Sequence, residues 1–137
     1  MAMWSVTVFN TTPEGCEALR QQGLEAFRAS IVGSWEVTHE GPRWIQALVT
    51  QGKTQQVRSD WFPSRYLVPA GQVQSLALWD RVRVHQEQGF SATFPKTEEE
   101  LAREREYGRM QVRQFHPERL QASASDAVWT VEIWDMH

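Results

Sequence analysis

The sequence lacks most of the features that mark common functional classes. Its only cysteine, Cys16, cannot form an intramolecular disulfide, and its eight dispersed glycines form neither a phosphate-binding loop nor a dinucleotide fingerprint. No apolar run approaches the roughly 20 residues that a bilayer-spanning helix requires, and the first residues lack the pattern of a secretory signal. We therefore expect a cytoplasmic protein that does not enter a membrane.

The chain also lacks an excess of positive charge. Its formal net charge is −3, which disfavours nucleic-acid binding by phosphate neutralisation. The four histidines have no metal-ligand spacing, and no catalytic motif accompanies them. The sequence therefore predicts no metal, no cofactor and no catalytic residue. Cys16 is predicted to be a core residue, because free cysteine is among the most buried residue types.

What is present fits one globular domain spanning residues 1–137. The chain is 41% apolar and 23% charged, which is ordinary for a folded domain of this length. Seven tryptophans are the unusual feature. The alternating pattern predicts that Trp4, Trp35 and Trp129 lie in the core, whereas Trp61 and Trp134 fall outside the predicted core positions.

Two segments carry helix-start signals. Thr12 can cap a helix that has Pro13 at its first position, and the apolar spacing that follows predicts a helix over about 13–30. The capping box from Thr97 to Glu100 predicts a second helix over about 98–110. The second helix has few apolar residues, so we expect it at the surface.

Alternation of apolar and polar residues predicts the strands. We expect a first strand near residues 4–8, a hairpin over 35–49 with its turn at 40–43, and further strands at 90–94, 112–115 and 128–135. Residues 53–72 are predicted to be mostly a long connection. The resulting class is α+β, with a mainly antiparallel sheet and both helices packed on one face.

Residues 73–85 fit two interpretations. Their alternation favours a strand or a tight hairpin broken at Asp80, with Arg81, Arg83 and His85 in line beside Trp79. Val73 and Val84 would also suit the apolar face of a helix. On a strand, the three basic groups form a strip that can bind phosphate or stack a base.

The leading functional hypothesis is a non-enzymatic protein-binding module, such as an immunity protein or an inhibitor that occludes the active site of a toxin or enzyme. It rests on the missing catalytic motif and on aromatic and charged residues outside the predicted core. The residues predicted to bind the partner are Trp61, Phe62, Arg65, Trp134, Glu98, Glu99 and Glu100.

Two other classes remain open. The alternative is a small-molecule binding protein or enzyme with a pocket between the sheet and residues 53–72. Its ligand would be anionic, and the predicted ligand-binding residues are Arg58, Arg65, Arg81, Arg83 and His85. The third is a nucleic-acid module built on the basic strip. A homodimer is also compatible with the sequence.

Overall fold

The computed structural model describes residues 3–38, 41–57, 64–88 and 97–135. The elements within these ranges follow in chain order: β1 (Met3–Phe9), α1 (Pro13–Gln22), α2 (Leu24–Arg28), β2 (Ile31–Thr38), α3 (Arg43–Thr50), β3 (Gln55–Val57), β4 (Ser64–Pro69), α4 (Ala70–Gln74), α5 (Leu78–Gln88), α6 (Glu98–Tyr107), β5 (Met110–Phe115), α7 (Pro117–Leu120) and β6 (Val128–Asp135).

The strands form one sheet of order β3-β4-β6-β1-β2-β5, and each neighbouring pair is antiparallel. This confirms the predicted α+β class. The described ranges contain seven helices rather than the two expected. None of these helices is both long enough and apolar enough to cross a membrane.

One face of the sheet carries the main core, and we call it the helix-packed face. It is the face of Val6, Trp35 and Val131, which are completely buried. Val6 is opposite Trp35, and Val131 is opposite Val8, the next residue of β1 on this face. Helices α3 to α6 contribute to the same core through apolar side chains, including Tyr107 of α6. Alternation along each strand therefore directs one set of side chains into a continuous apolar layer.

We call the opposite side the polar face, after Thr7, Ser34 and Glu132, which lie side by side on three strands. One end of this face has a small apolar cluster in which Phe9 packs with residues of α1, α2 and β2. The cluster includes Cys16, which is buried as predicted.

The helix predicted over 13–30 forms, but it is interrupted. Thr12 caps α1 by accepting a hydrogen bond from the backbone of Gly15. Gly23 has a φ of 132°, which an L side chain rarely adopts, and this residue separates α1 from α2. This helix pair borders the polar face, whereas α6 belongs to the layer on the other face, so the two predicted helices lie on opposite sides of the sheet.

The predicted hairpin over 35–49 does not form. Its first arm belongs to β2, which pairs with β1 and β5, but its second arm is helix α3. Pro42 precedes this helix, and Trp44, Ile45 and Leu48 are its buried residues. Their spacing of one and three residues fits one side of a helix better than alternate faces of a strand.

For residues 73–85 the strand interpretation is wrong and the helical interpretation is confirmed, because all of them except residues 75–77 belong to α4 or α5. The predicted connection over 53–72 contains strands β3 and β4. The structure confirms strands at 112–115 and 128–135, as β5 and β6. The strand predicted at 90–94 lies outside the described residues.

Candidate functional site

A cavity of about 680 Å³ lies between α3 and the helix-packed face, and we call it the α3 cavity. Its size falls within the range of about 300–1,000 Å³ that small-molecule sites occupy. The lining residues come from α3, its preceding residue and four strands: Trp4, Pro42, Arg43, Gln46, Val49, Thr50, Gln56, Ser64, Tyr66 and Ile133.

Helix α3 lines the cavity because only part of its circumference is used in the core. Trp44, Ile45 and Leu48 are buried, while Gln46 and Val49 lie on the adjoining side of the helix and line the cavity. This division follows from the helical period of 3.6 residues. The same short segment therefore anchors the helix and presents an amide and an aliphatic group to the cavity.

The sheet side of the cavity is fixed by the antiparallel register. Ser64 of β4 is opposite Ile133 of β6, and Tyr66 of β4 is opposite Gln56 of β3. Trp4 enters from β1, on the other side of β6. Side chains on three or more paired strands hold fixed positions relative to one another, so this part of the site is preorganised.

The chemistry of the lining combines aromatic surface with hydrogen-bonding groups. The Nε1 atom of Trp4 is buried without a hydrogen-bond partner among the described residues. The same holds for Trp44 and Trp129, but neither of those residues lines the cavity. Leaving a buried donor unpaired costs about 1–3 kcal/mol. Because the Trp4 Nε1 atom is fully buried, Trp4 contributes its ring, and not this donor, to the surface of the cavity.

The ionisable groups of the α3 cavity favour one sign of charge. Arg43 is the charged residue among the described lining residues, and no carboxylate accompanies it. Burial raises the pKa of Tyr66 above its usual value of 10.0, so this phenol stays neutral and can donate a hydrogen bond at neutral pH. The cavity therefore suits a neutral or anionic ligand better than a cationic one.

The polar face offers a second surface. Five directly paired residues cross it in a row from β4 to β5: Arg65, Glu132, Thr7, Ser34 and Gln114. The Nε atom of Arg65 donates to Oε1 of Glu132 at 3.0 Å, and the hydroxyls of Thr7 and Ser34 are 3.1 Å apart. The side chains of this row have hydrogen-bond partners, and the partner of Gln114 is His116, which lies outside the row.

Cys16 lies at the edge of this row, between the helices and the sheet. Burial raises the pKa of its thiol to about 11, and the negative charge of Glu132 acts in the same direction. A thiol that stays protonated at neutral pH is a poor nucleophile. The arrangement gives Cys16 a structural role in the apolar cluster.

The structure separates the residues predicted to bind a protein partner. Trp134 and Arg65 share the polar face, and Trp134 is 40% exposed. Glu98 and Glu99 are exposed in the first turn of α6, which belongs to the helix layer on the other side of the sheet. Trp61, Phe62 and the side chain of Glu100 lie outside the described residues.

The residues predicted to bind an anionic ligand do not converge either. Arg65 is on the polar face, whereas Arg81, Arg83 and His85 are on α5, which packs on β5 at the far edge of the sheet. Arg58 lies outside the described residues.

The basic strip predicted over 79–85 does not form. Trp79 is 3% exposed, and its Nε1 donates to the carbonyl of Val73 at 2.8 Å. Arg81 is 9% exposed and lies 2.9 Å from the Nε2 atom of His85. Because the segment is helical, alternate residues do not share one face, and the stacking surface proposed for nucleic acid is absent from the described residues.

Sequence reasoning missed most of the cavity residues. The sequence predicts Trp4 in the core, and it predicts Ser64 and Tyr66 in the long connection over 53–72. The one available signal was the prediction of a pocket between the sheet and residues 53–72, because Gln56, Ser64 and Tyr66 come from that segment. The hairpin predicted over 35–49 treats the residues of α3 as a strand, and a strand there does not indicate that they line a cavity.

The fold and the site define a class, an α+β domain with a ligand-sized cavity between one helix and an antiparallel sheet. No protein-family model matches the chain, and neither curated proteins nor solved structures provide a significant match.

Proposed function

We propose that this protein binds a small molecule in the α3 cavity. The observation that carries the proposal is the cavity itself, a space of about 680 Å³ with both aromatic and polar groups on its surface. Sites for small molecules typically combine an apolar lining with a few polar groups that orient the ligand. Trp4, Tyr66 and Ile133 supply the first kind of surface, and Gln46 and Gln56 supply the second.

The proposal is tested with a library of small aromatic, aliphatic and polar fragments, monitored by the backbone amide signals of the ¹⁵N-labelled protein. Binding in the α3 cavity shifts the signals of α3, β4 and the end of β6. We also expect a shift of the Trp4 indole N–H signal, because the Trp4 ring lines the cavity and its surroundings change on binding. The free protein provides the reference spectrum.

A cavity-filling variant makes this test specific. Gln46 is exposed and lines the cavity, so Gln46→Trp reduces the space with little cost to the core. We expect it to weaken fragment binding at least about tenfold, which corresponds to about 1.4 kcal/mol. Gln21→Trp places the same side chain on exposed α1, and should leave binding unchanged. Equal affinity of both variants would contradict the proposal.

Protein binding through the polar face is the second candidate function. The observation that favours it is Trp134, which is 40% exposed on the same face as two cross-strand ion pairs, Arg65 with Glu132 and Arg113 with Glu36. Tryptophan and arginine are enriched among residues that dominate protein interfaces. The function predicted from the sequence is that of a cytoplasmic immunity protein or inhibitor, and this face would then occlude the active site of a toxin or enzyme.

This second candidate is tested by quantitative affinity capture from native cells with three baits. A stoichiometric partner should be retained by the wild type and by Val84→Ser, and lost with Trp134→Ser. Val84 is a suitable control because it is an exposed apolar residue, 38% exposed, on α5. Equal recovery of the partner by Trp134→Ser would exclude the polar face as its binding surface.

A further inference from the structure

The charge distribution around the α3 cavity narrows the class of ligand, provided that the proposed function holds. Arg43 lies at one end of the lining and is exposed. Helix α3 begins at this residue with no acidic side chain in its first turn and no side-chain cap. The partial positive charge of the helix N-terminus therefore adds to that of the guanidinium group.

The other described residues of the lining contribute no opposing charge. Its described polar residues are uncharged: Gln46, Thr50, Gln56, Ser64 and Tyr66. A cation entering this cavity would lose water without gaining a carboxylate partner, and Arg43 would repel it. An anion would instead form an ion pair with Arg43.

The residues that line the sheet side of the α3 cavity favour a ligand with a flat apolar ring. Trp4, Tyr66 and Ile133 come from three strands and provide two aromatic rings and one branched aliphatic group. Aromatic side chains bury large areas and favour offset or edge contacts with another ring.

We propose that the α3 cavity binds an aromatic carboxylate, with its ring against Trp4, Tyr66 and Ile133 and its acid group at Arg43. A carboxylate forms a charge-assisted and often bidentate pair with arginine, which a neutral amide of the same shape cannot form. The ligand class thus follows from one charged anchor, an aromatic wall and the absence of acidic groups among the described lining residues.

Three probes of the same shape test this inference: 3-phenylpropanoate, 3-phenylpropanamide and 3-phenylpropylammonium. Each is titrated into the ¹⁵N-labelled protein, and affinities are taken from the shifts of α3, β4 and the Trp4 indole N–H. We expect the carboxylate to bind at least about tenfold more tightly than the amide, and the ammonium compound to bind most weakly.

Two arginine variants identify the anchor. Arg43→Gln should bring the carboxylate-to-amide affinity ratio close to one, chiefly by weakening carboxylate binding. Arg83→Gln removes an exposed arginine from α5, outside the cavity lining, and should preserve the ratio. A ratio that is unchanged in Arg43→Gln would overturn the assignment of Arg43.

The outcomes separate the ligand class from the proposed function. If the amide or the ammonium compound binds as tightly as the carboxylate, the ligand class is wrong and the cavity is still a binding site. The same holds if library fragments shift the cavity signals but none of the three probes does. If neither the library nor the probes shift these signals, the proposed function is wrong as well.

Discussion

The helix-packed face and the polar face belong to the same sheet but are stabilised by different interactions. On the first, Trp35, Trp129 and Val131 have no exposed surface and contribute to one continuous apolar core. On the second, apolar burial is confined to the cluster around Phe9 and Cys16, and the next row is held by hydrogen bonds and ion pairs.

This difference shows where stability and binding capacity reside. The polar face buries Glu132 to 3% exposure and supplies Arg65 as its partner, so its polar groups are already used. The helix-packed face carries the larger apolar core, yet the α3 cavity lies between this face and α3. The indole nitrogen of Trp4 on this face is buried without a partner among the described residues. The face with the larger apolar core is therefore also the one that borders the α3 cavity.

The largest expected effect tests the helix-packed face. Trp35 is fully buried and packs edge-on against Trp79 at a centroid distance of 5.7 Å. Trp35→Ala should lower the free energy of unfolding by about 3–5 kcal/mol, because it leaves a large cavity. Trp134→Ala on the polar face should cost less than about 1 kcal/mol. Comparable losses in urea denaturation would remove the distinction between the faces.

The second effect tests whether the buried ion pair holds the polar face. Arg65→Met leaves the carboxylate of Glu132 buried without its partner. Because the Arg65 side chain is 35% exposed, we expect a loss of about 2 kcal/mol, below the full cost of breaking a buried pair.

Arg113→Met is the matched control for this substitution. Arg113 forms a cross-strand pair with Glu36 on the same face, but its side chain is 61% exposed. Surface pairs contribute about 0–1 kcal/mol, so this variant should retain most of the wild-type stability in the same denaturation measurement. Equal losses in the two variants would show that burial of Glu132 does not matter.

The smallest effect concerns pH. The pKa of Cys16 rises from 9.0 to about 11 on folding, so the folded state keeps its proton when the unfolded state has lost it. The resulting stability is fully present below pH 9 and is lost as the pH approaches 11. At pH 10, midway between the two pKa values, the loss is about 1.4 kcal/mol.

The pH effect is isolated by comparison with Cys16→Ala, because Tyr66 also has a raised pKa and contributes at high pH in both proteins. The difference in unfolding free energy between the wild type and Cys16→Ala should shrink between pH 8 and pH 10. A constant difference would show that the thiol ionises equally in both states.

Elements with strong local signals could be predicted from the sequence. The alternation of Trp129, Val131 and Ile133 is long enough to define β6, and Thr97 marks the start of α6. Cys16 is predicted to be a core residue because free cysteine is among the most buried residue types, and it is buried. These predictions use only residues that are close in sequence, and the tertiary structure agrees with them.

The remaining elements depend on contacts that the sequence does not display. The eight residues of α3 are too few to define a period, and their apolar run suits a buried strand equally well. Gly41 and Pro42 favour a hairpin turn in isolation, but here they precede a helix. The cavity draws on segments that are far apart in the chain, so it becomes visible only in three dimensions.

The position of β6 has a consequence for how the chain reaches its fold during synthesis. Strand β6 pairs with β1 on one side and β4 on the other, although it is the last strand in sequence. Until residues 128–135 have left the ribosome, β4 with β3 and β1 with its partners are two separate strand groups. The edges of β4 and β1 that pair with β6 are therefore exposed while synthesis continues. Pairings this distant in sequence also slow folding. Chaperone binding to nascent chains should therefore end only when β6 has emerged.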